Sequence, residues 1–120
     1  MEYKLGLNER PFRAIVAGTK KVEGRTMTDH DHTRYDDMLP GDTILFTNNV
    51  TGEAASCEIL FVRKYSDVRE MLEAEGTENV LSSGSDVEGG IRSYNGLEGY
   101  KEGIKKFGIY AIGIKPIDEK

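Results

Sequence analysis

The sequence predicts an α+β fold: a small curled sheet, mixed or antiparallel, rolled into a β-barrel with two to three flanking helices. Three observations predict it. Runs rich in apolar and β-branched residues around Ile44 and Ile59 are separated only by Asn48-Asn49-Val50-Thr51-Gly52, which is hairpin chemistry. Phe12, Ile15 and Val16, and later Val68, Met71 and Leu72, fall at helical spacing. Gly108 to Pro116 alternates, with Ile109, Ala111, Gly113 and Lys115 set against Tyr110, Ile112 and Ile114, as a closing strand does. Sequential strands joined by short turns curl into a barrel, which removes exposed edges.

Each element has a local reason. Tyr3 to Leu7 alternates and reads as a short first strand. Asn8 is placed as an N-cap, and Pro11 falls in the first turn, where its missing N–H costs little. The helix presents Phe12, Ile15 and Val16 to the core, and Gly18 stops it. Lys20 to Thr26 is the next strand. Thr28 to Leu39, polar and rich in Asp and His, reads as an exposed loop. Pro40-Gly41-Asp42 is a turn that feeds the strand Thr43 to Thr47. Glu53 to Tyr65 is its partner, with Ile59, Leu60, Phe61 and Val62 as a run buried on both faces. Ser66 caps a helix from Asp67 to Glu75, which Gly76 ends. A weaker helix lies around Asp86 to Tyr94, because Gly89 and Gly90 each cost about 1 kcal/mol relative to Ala. The pattern of Gly96 to Phe107 assigns neither helix nor strand. No repeat and no linker interrupts the chain, so residues 1–120 are expected to form one domain.

Composition narrows the function classes. A hydrophobic content of 38% with 31% charged residues suits a globular core, not a disordered chain. A net charge of −5 argues against a protein that coats nucleic acid nonspecifically, yet leaves room for a local basic cleft. The single Cys57 forms no internal disulfide, suits a reducing compartment and is expected in a strand interior. The first residues lack the apolar core of a signal peptide, and no apolar run approaches the ~18 residues of a membrane span. A cytoplasmic, membrane-free protein is the expectation, with a monomer favoured.

The densest chemistry lies in Gly18-Thr19-Lys20-Lys21-Val22-Glu23-Gly24-Arg25. Lys20, Lys21, Glu23 and Arg25 crowd into six residues of expected strand. Alternation sends Lys21, Glu23 and Arg25 to one face and Lys20, Val22, Gly24 and Thr26 to the other. Lys20 adjoins the helix exit, where a twist or bulge turns it into the same cleft. A carboxylate flanked by cations stays ionised and is held in one rotamer by charge-assisted bonds. Arg25 offers a planar fork for phosphate or a base edge, and Gly24 leaves room for a ring near the backbone. The competing reading is a solvated ladder of ion pairs on the barrel surface, worth about 0.2–1 kcal/mol per pair.

The run Gly18-x-Lys20-x-x-Glu23-x-Arg25, after a helix carrying Pro11-Phe12 and Ile15 and before Pro40-Gly41-Asp42-x-Ile44-x-Phe46, resembles the ASCH domain family. These are small β-barrels similar in fold to the PUA RNA-binding domains. Tyr65-Ser66, Met71-Leu72-Glu73-x-Glu75-Gly76, Glu78-Asn79-Val80-Leu81 and the ending Phe107-Gly108-Ile109-Tyr110-Ala111-Ile112 look like its stand-alone prokaryotic members. The resemblance implies a cleft between barrel and helices, lined by the Lys-Glu-Arg strand, that binds RNA or a nucleotide- or nucleoside-like ligand. One enzymatic branch consists of amidohydrolases that remove the acetyl group from N4-acetylcytidine with a Lys, a Thr nucleophile three residues later and a Glu from the helical region. Lys20 matches the lysine, Glu23 stands where that branch has Thr, and Glu73 or Glu75 falls in the region of the third residue, Glu75 being the candidate.

The expected ligand contacts are therefore Lys20, Glu23 and Arg25, with Lys21 nearby and Arg63 or Lys64 at the rim. Tyr94 and Tyr100 stack a base if their segment folds over the cleft, and otherwise pack in the core. The candidate catalytic set is Lys20, Glu23 and Glu75, with Glu23 as a general base toward water and Lys20 on the oxyanion. A protein-interaction adaptor is the third function class, favoured by an apolar exposed patch around Tyr94 to Tyr100. His30-Asp31-His32 has the beginnings of a zinc set, but no Cys lies near and the segment has loop composition, so no metal and no cofactor are expected. Ser82 to Gly90 lacks phosphate-loop spacing and reads as a connection.

Overall fold

The strand β5, Ile109–Pro116, explains the architecture of the computed structural model, which describes residues 1–117. Every residue from Ile109 to Ile114 is buried, so both faces of this strand are covered. The alternation read from the sequence divides those residues between two cores. Tyr110, Ile112 and Ile114 join Leu5, Leu7, Phe12, Ile15, Ile44, Phe46 and Ile59 in one cluster. Ile109 and Ala111 join Val22, Val68, Met71, Leu72, Val80, Tyr94 and Ile104 in the other. A strand serving two cores cannot alternate apolar with polar residues, which is why its sequence is apolar throughout.

The remaining elements follow in chain order: β1 Glu2–Leu7, α1 Glu9–Ala17, β2 Val22–Arg25, a 3-10 turn Tyr35–Asp37, β3 Thr43–Asn48, β4 Ala54–Tyr65, α2 Val68–Glu75, α3 Thr77–Val80, α4 Val87–Asn95 and α5 Tyr100–Phe107. The five strands form one mixed sheet in the order β1-β3-β4-β5-β2, parallel only between β1 and β3. The α+β class and the curled mixed sheet are as expected, and the curl stops at a half-barrel. Its two edges, β1 and β2, make no ladder with each other.

Several local expectations are corrected. Five α-helices surround the sheet among the described residues, not two or three, because Thr77–Val80 and the unassigned Tyr100–Phe107 are both helical. The strand expected from Lys20 to Thr26 spans only Val22–Arg25; Lys20 and Lys21 precede it, bonded through their backbones to Ala14 and Asn79. Thr28 to Leu39 is not wholly an exposed loop: Tyr35 and Met38 are buried in the first core. Asp31 supplies the acceptor that burial of the Tyr35 hydroxyl requires, at 2.5 Å. Asp67, not Ser66, caps α2 by accepting from the Glu70 N–H. Asn8 occupies the N-cap position of α1 but makes no capping bond through its side chain.

The Ile59–Val62 run is not buried on both faces. Alternation from Cys57 leaves Ile59 fully buried and Leu60 45% exposed, and the register shift between Ile59 and Phe61 then turns Val62 to the first core and Phe61 to the second. Bulges re-aim side chains in this way. Truncating the two neighbours therefore separates them: Ile59→Ala is expected to cost about 2–5 kcal/mol, and Leu60→Ala no more than about 0.5 kcal/mol. Urea unfolding of the two variants checks this, and equal losses would contradict the described alternation.

Candidate functional site

The end of α1 determines where the first functional side chain goes. Gly18 takes the left-handed conformation (φ 82°), and Thr19 and Lys20 both return their N–H groups to the Ala14 carbonyl. The chain thus leaves the helix in a tight turn and enters β2 at Val22. Because Lys20 lies before the strand, strand alternation does not govern it, and its side chain shares a space with Glu23. The Lys20 Nζ donates to the carbonyl of Val22 at 2.9 Å and to that of Val80, and lies 3.3 Å from Glu23 Oε1. Those contacts use all three ammonium donors.

On the other side of the carboxylate, Arg25 Nε donates to Glu23 Oε2 at 2.6 Å, and its Nη2 donates to the Gly6 carbonyl at 2.6 Å. Gly6 is on β1. A side chain on one sheet edge thus reaches the other across the gap that no ladder closes. Lys20 and Glu23 are each only 5% exposed, and the Arg25 side chain 12%. Three ionised groups out of water survive because each has oppositely charged or carbonyl partners.

Their titration reflects this. Burial alone pushes the Glu23 carboxyl up, but Lys20 and Arg25 outweigh burial and hold it below the usual carboxylate range. Burial pulls the Lys20 ammonium below the ordinary lysine value, and Glu23 opposes that pull. Burial likewise works against the Arg25 charge, and the Glu23 carboxylate more than compensates, so its pKa is raised.

This triad lies in the wall of a recess of about 400 Å³, formed where the β1–α1 junction, β2, the segment after α3 and the end of α4 meet. Ligand sites commonly span roughly 300–1,000 Å³. Tyr94 and Tyr100 form a side of it, with rings 6.3 Å apart and nearly parallel at 21°. Burial raises both phenols, that of Tyr100 to about 12, so both are neutral hydrogen-bonding groups near neutral pH. Gly24 does face an aromatic ring, but the ring is the protein's own: a Cβ there would fall 2.5 Å from the Tyr94 hydroxyl.

Of the sequence candidates, the structure gathers Lys20, Glu23, Arg25 and Tyr94 around this recess. Lys21, Arg63 and Glu75 lie elsewhere, around a second hollow of about 500 Å³ that also touches Lys20. The Glu75 carboxylate accepts from Arg63 Nη1 at 3.0 and 3.1 Å and from the Tyr65 hydroxyl at 2.5 Å, so the candidate third acid is separated from Glu23 and already engaged. Glu73 is exposed near Arg69, and Lys64 lies 5.8 Å over the Tyr110 ring. His30 faces Glu98 at 3.6 Å; among the described residues no group of three or more His, Cys, Asp or Glu is placed to hold a metal ion. No helix among them is long and apolar enough to cross a membrane.

Sequence reasoning missed Asn8, Arg10 and the serines Ser82, Ser83 and Ser93 around the recess. By sequence Asn8 reads as a cap and Ser82-Ser83 as a connection. The Glu78-Asn79-Val80-Leu81 motif was the available signal, since the Val80 carbonyl receives the Lys20 ammonium and the serines follow it.

The family model described as ASCH domain matches residues 5–118. Two solved structures match over nearly the whole length. A crystal structure of the hypothetical protein PH0355 is 36% identical, with a TM-score of 0.80, covering 98% of this chain and 100% of that one. The solution structure of protein PF0455 from Pyrococcus furiosus is 35% identical, with a TM-score of 0.75, covering 99% and 100%. No functionally curated protein matches the chain.

Removing Glu23 strands two cations, whereas removing Lys20 leaves Glu23 paired with Arg25. Glu23→Gln is therefore expected to cost about 3–5 kcal/mol, as breaking a buried pair does, and Lys20→Met distinctly less. Because the folded-state carboxyl is depressed, its contribution is complete above the unfolded-state value near 4.5 and is lost as pH falls through the lower folded value. Denaturation curves across that range should show wild type and Glu23→Gln converging in acid. A constant gap at all pH values would contradict an ionised Glu23.

Proposed function

The chain belongs to the ASCH domain family, and on that premise we propose that its Lys20–Glu23–Arg25 recess binds RNA or a nucleotide- or nucleoside-like ligand. The family has a PUA-like fold often linked to RNA binding. The observation that carries the proposal is the buried Glu23 carboxylate fixed between two cations at the wall of a recess large enough for a small ligand. A salt bridge serving stability alone gains little from such burial, since desolvation consumes most of the attraction. Fixing a carboxylate and a guanidinium at a recess wall is how a site recognises a base edge.

The division of roles follows from the donors left over. Lys20 is spent on protein acceptors and acts as a positioning residue for Glu23. Glu23 has one bond to each oxygen in place, leaving lone pairs for an exocyclic amino group. Arg25 uses Nε and Nη2 on Glu23 and Gly6, and its Nη1 donors remain for a carbonyl or phosphate oxygen. Arg10, exposed at the mouth, is suited to phosphate, and the hydroxyls of Ser82 and Ser83 to ribose or phosphate oxygens.

The same facts weigh against amide hydrolysis. A carboxyl held below its usual range is a weak base, and an ammonium with all three donors engaged cannot bind a developing oxyanion without giving one up. An adaptor role has less support still: Leu97, 41% exposed, is an isolated apolar side chain between Tyr94 and Tyr100, not a patch of several hundred Å².

Titrating the ¹⁵N-labelled protein with cytidine 5′-monophosphate and guanosine 5′-monophosphate tests the binding reading. Amides of Glu23, Gly24, Arg25, Ser82 and Ser83 should shift for at least one nucleotide. Arg25→Gln should weaken that binding about tenfold or more, while Lys105→Gln on the far end of α5 should not. Unchanged affinity in Arg25→Gln would remove the recess from consideration. Release of cytidine from N4-acetylcytidine, abolished by Glu23→Gln, would instead establish the hydrolase.

A further inference from the structure

The second hollow is built around a fixed arginine. Phe61 on β4 lies opposite Gly113 on β5, and a Cβ on Gly113 would fall 2.1 Å from the Phe61 ring. The absent side chain lets the ring lie flat on the neighbouring strand. The Arg63 guanidinium sits over that ring, 4.0 Å from its centroid. Its Nη1 is bound by both oxygens of Glu75, whose side chain is only 4% exposed, and Tyr65 holds the same carboxylate. Stacking and the buried carboxylate thus fix the plane of Arg63, while its side chain stays 55% exposed.

Two lysines join it. The Lys21 N–H bonds to the Asn79 carbonyl, and the Lys21 carbonyl accepts from Ile114, which places Lys21 beside Lys115. Both lysines are exposed and both line the hollow. Among the described residues the single acid lining it, Glu75, is already committed to Arg63 and Tyr65. Glu58, opposite Lys115 in the β4–β5 ladder, forms no ion pair with it among the described residues. A protein of net charge −5 thus carries a local cationic site with one pre-oriented guanidinium and two exposed ammonium groups.

We propose that this hollow is a second, phosphate-recognising subsite, and that the ligand is a single-stranded RNA whose backbone continues from the Glu23–Arg25 recess past the Lys20 wall. This rests on the nucleotide reading of the recess and makes it more specific. Lys20 lines both hollows, and the stretch that closes the wall is short: Asn79 faces the second hollow and Val80 the first. A planar arginine held by a carboxylate and an aromatic ring suits a phosphodiester, which it can grip through two donors, with lysines adding longer-range attraction. A lone mononucleotide seated in the recess has no use for it.

The test compares two probes on the intact protein: cytidine 5′-monophosphate by NMR, and a fluorescein-labelled decamer of mixed-sequence single-stranded RNA by anisotropy across a salt series. The double variant Lys21→Gln/Lys115→Gln changes only exposed side chains and keeps the Arg63–Glu75 pair, so it isolates the site without stranding a buried charge. It is expected to weaken the decamer about tenfold and to reduce the slope of log K against log salt by about 1.4, or 0.7 for each lysine. Mononucleotide binding should be unchanged. Decamer affinity and slope equal to wild type, with the mononucleotide still bound, would overturn the second subsite and leave the recess reading standing. Decamer binding that shifts Arg63 and Lys115 amides but not Glu23 and Arg25 would support the phosphate site while overturning the recess reading. A glutamate decapeptide that competes as well as the RNA would overturn the assignment to a nucleic-acid backbone.

Discussion

The Glu23 carboxylate is the hub on which this structure depends. It sits out of water between Lys20 and Arg25, and each cation carries it to a different part of the fold. Through Lys20 it is joined to the Val80 carbonyl at the end of α3, and through Arg25 to the Gly6 carbonyl on β1. Three parts of the chain far apart in sequence, Gly6, Lys20–Arg25 and Val80, are thereby fixed around one carboxylate. A surface ion pair could not do this, because water would screen it and the long side chains would keep their rotamer freedom. Burial makes the contacts directional and makes each partner costly to remove.

The half-barrel explains why that hub was needed. Five strands curl but leave β1 and β2 unpaired, and unpaired edges are a liability that proteins blunt in various ways. Here the Arg25 fork bridges the gap through a single donated bond, and the recess opens beside it. The opening where the sheet fails to close and the candidate binding site are therefore neighbouring features. The two cores on either face of β5 hold β2 and α4 in place, and the loop residues Ser82 and Ser83 complete the recess wall between them.

Two hollows share Lys20 as a common wall, and their chemistry differs in kind. The recess presents a carboxylate and a guanidinium beside hydroxyls and tyrosines, a mixture suited to the donors and acceptors of a base and sugar. The second hollow presents cations, and Glu75, the acid lining it among the described residues, is bound to Arg63 and Tyr65, a composition suited to phosphate. Their adjacency gives a physical account of how an acidic protein can attract a polyanion: a local field decides the encounter, not the net charge.

The sequence by itself determined the elements and their chemistry. Alternation in Ile109–Ile114, helical spacing around Phe12 and Met71, the hairpin at Asn48–Gly52 and the concentration of charge from Lys20 to Arg25 were all legible, because each is a local pattern. Tertiary structure decided which charges meet. Strand alternation alone puts Lys21 beside Glu23 and Arg25, and only the turn after Gly18, with the Val80 carbonyl waiting sixty residues away, brings Lys20 there instead. Glu75 reads as a candidate catalytic acid until β4 delivers Arg63 and Tyr65 to it, and Leu60 reads as buried until the packing covers only the Ile59 side of the strand. Short-range patterns fix which face of a strand or helix is apolar. Partners across the fold depend on register and crossing geometry, which arise only when the cores pack.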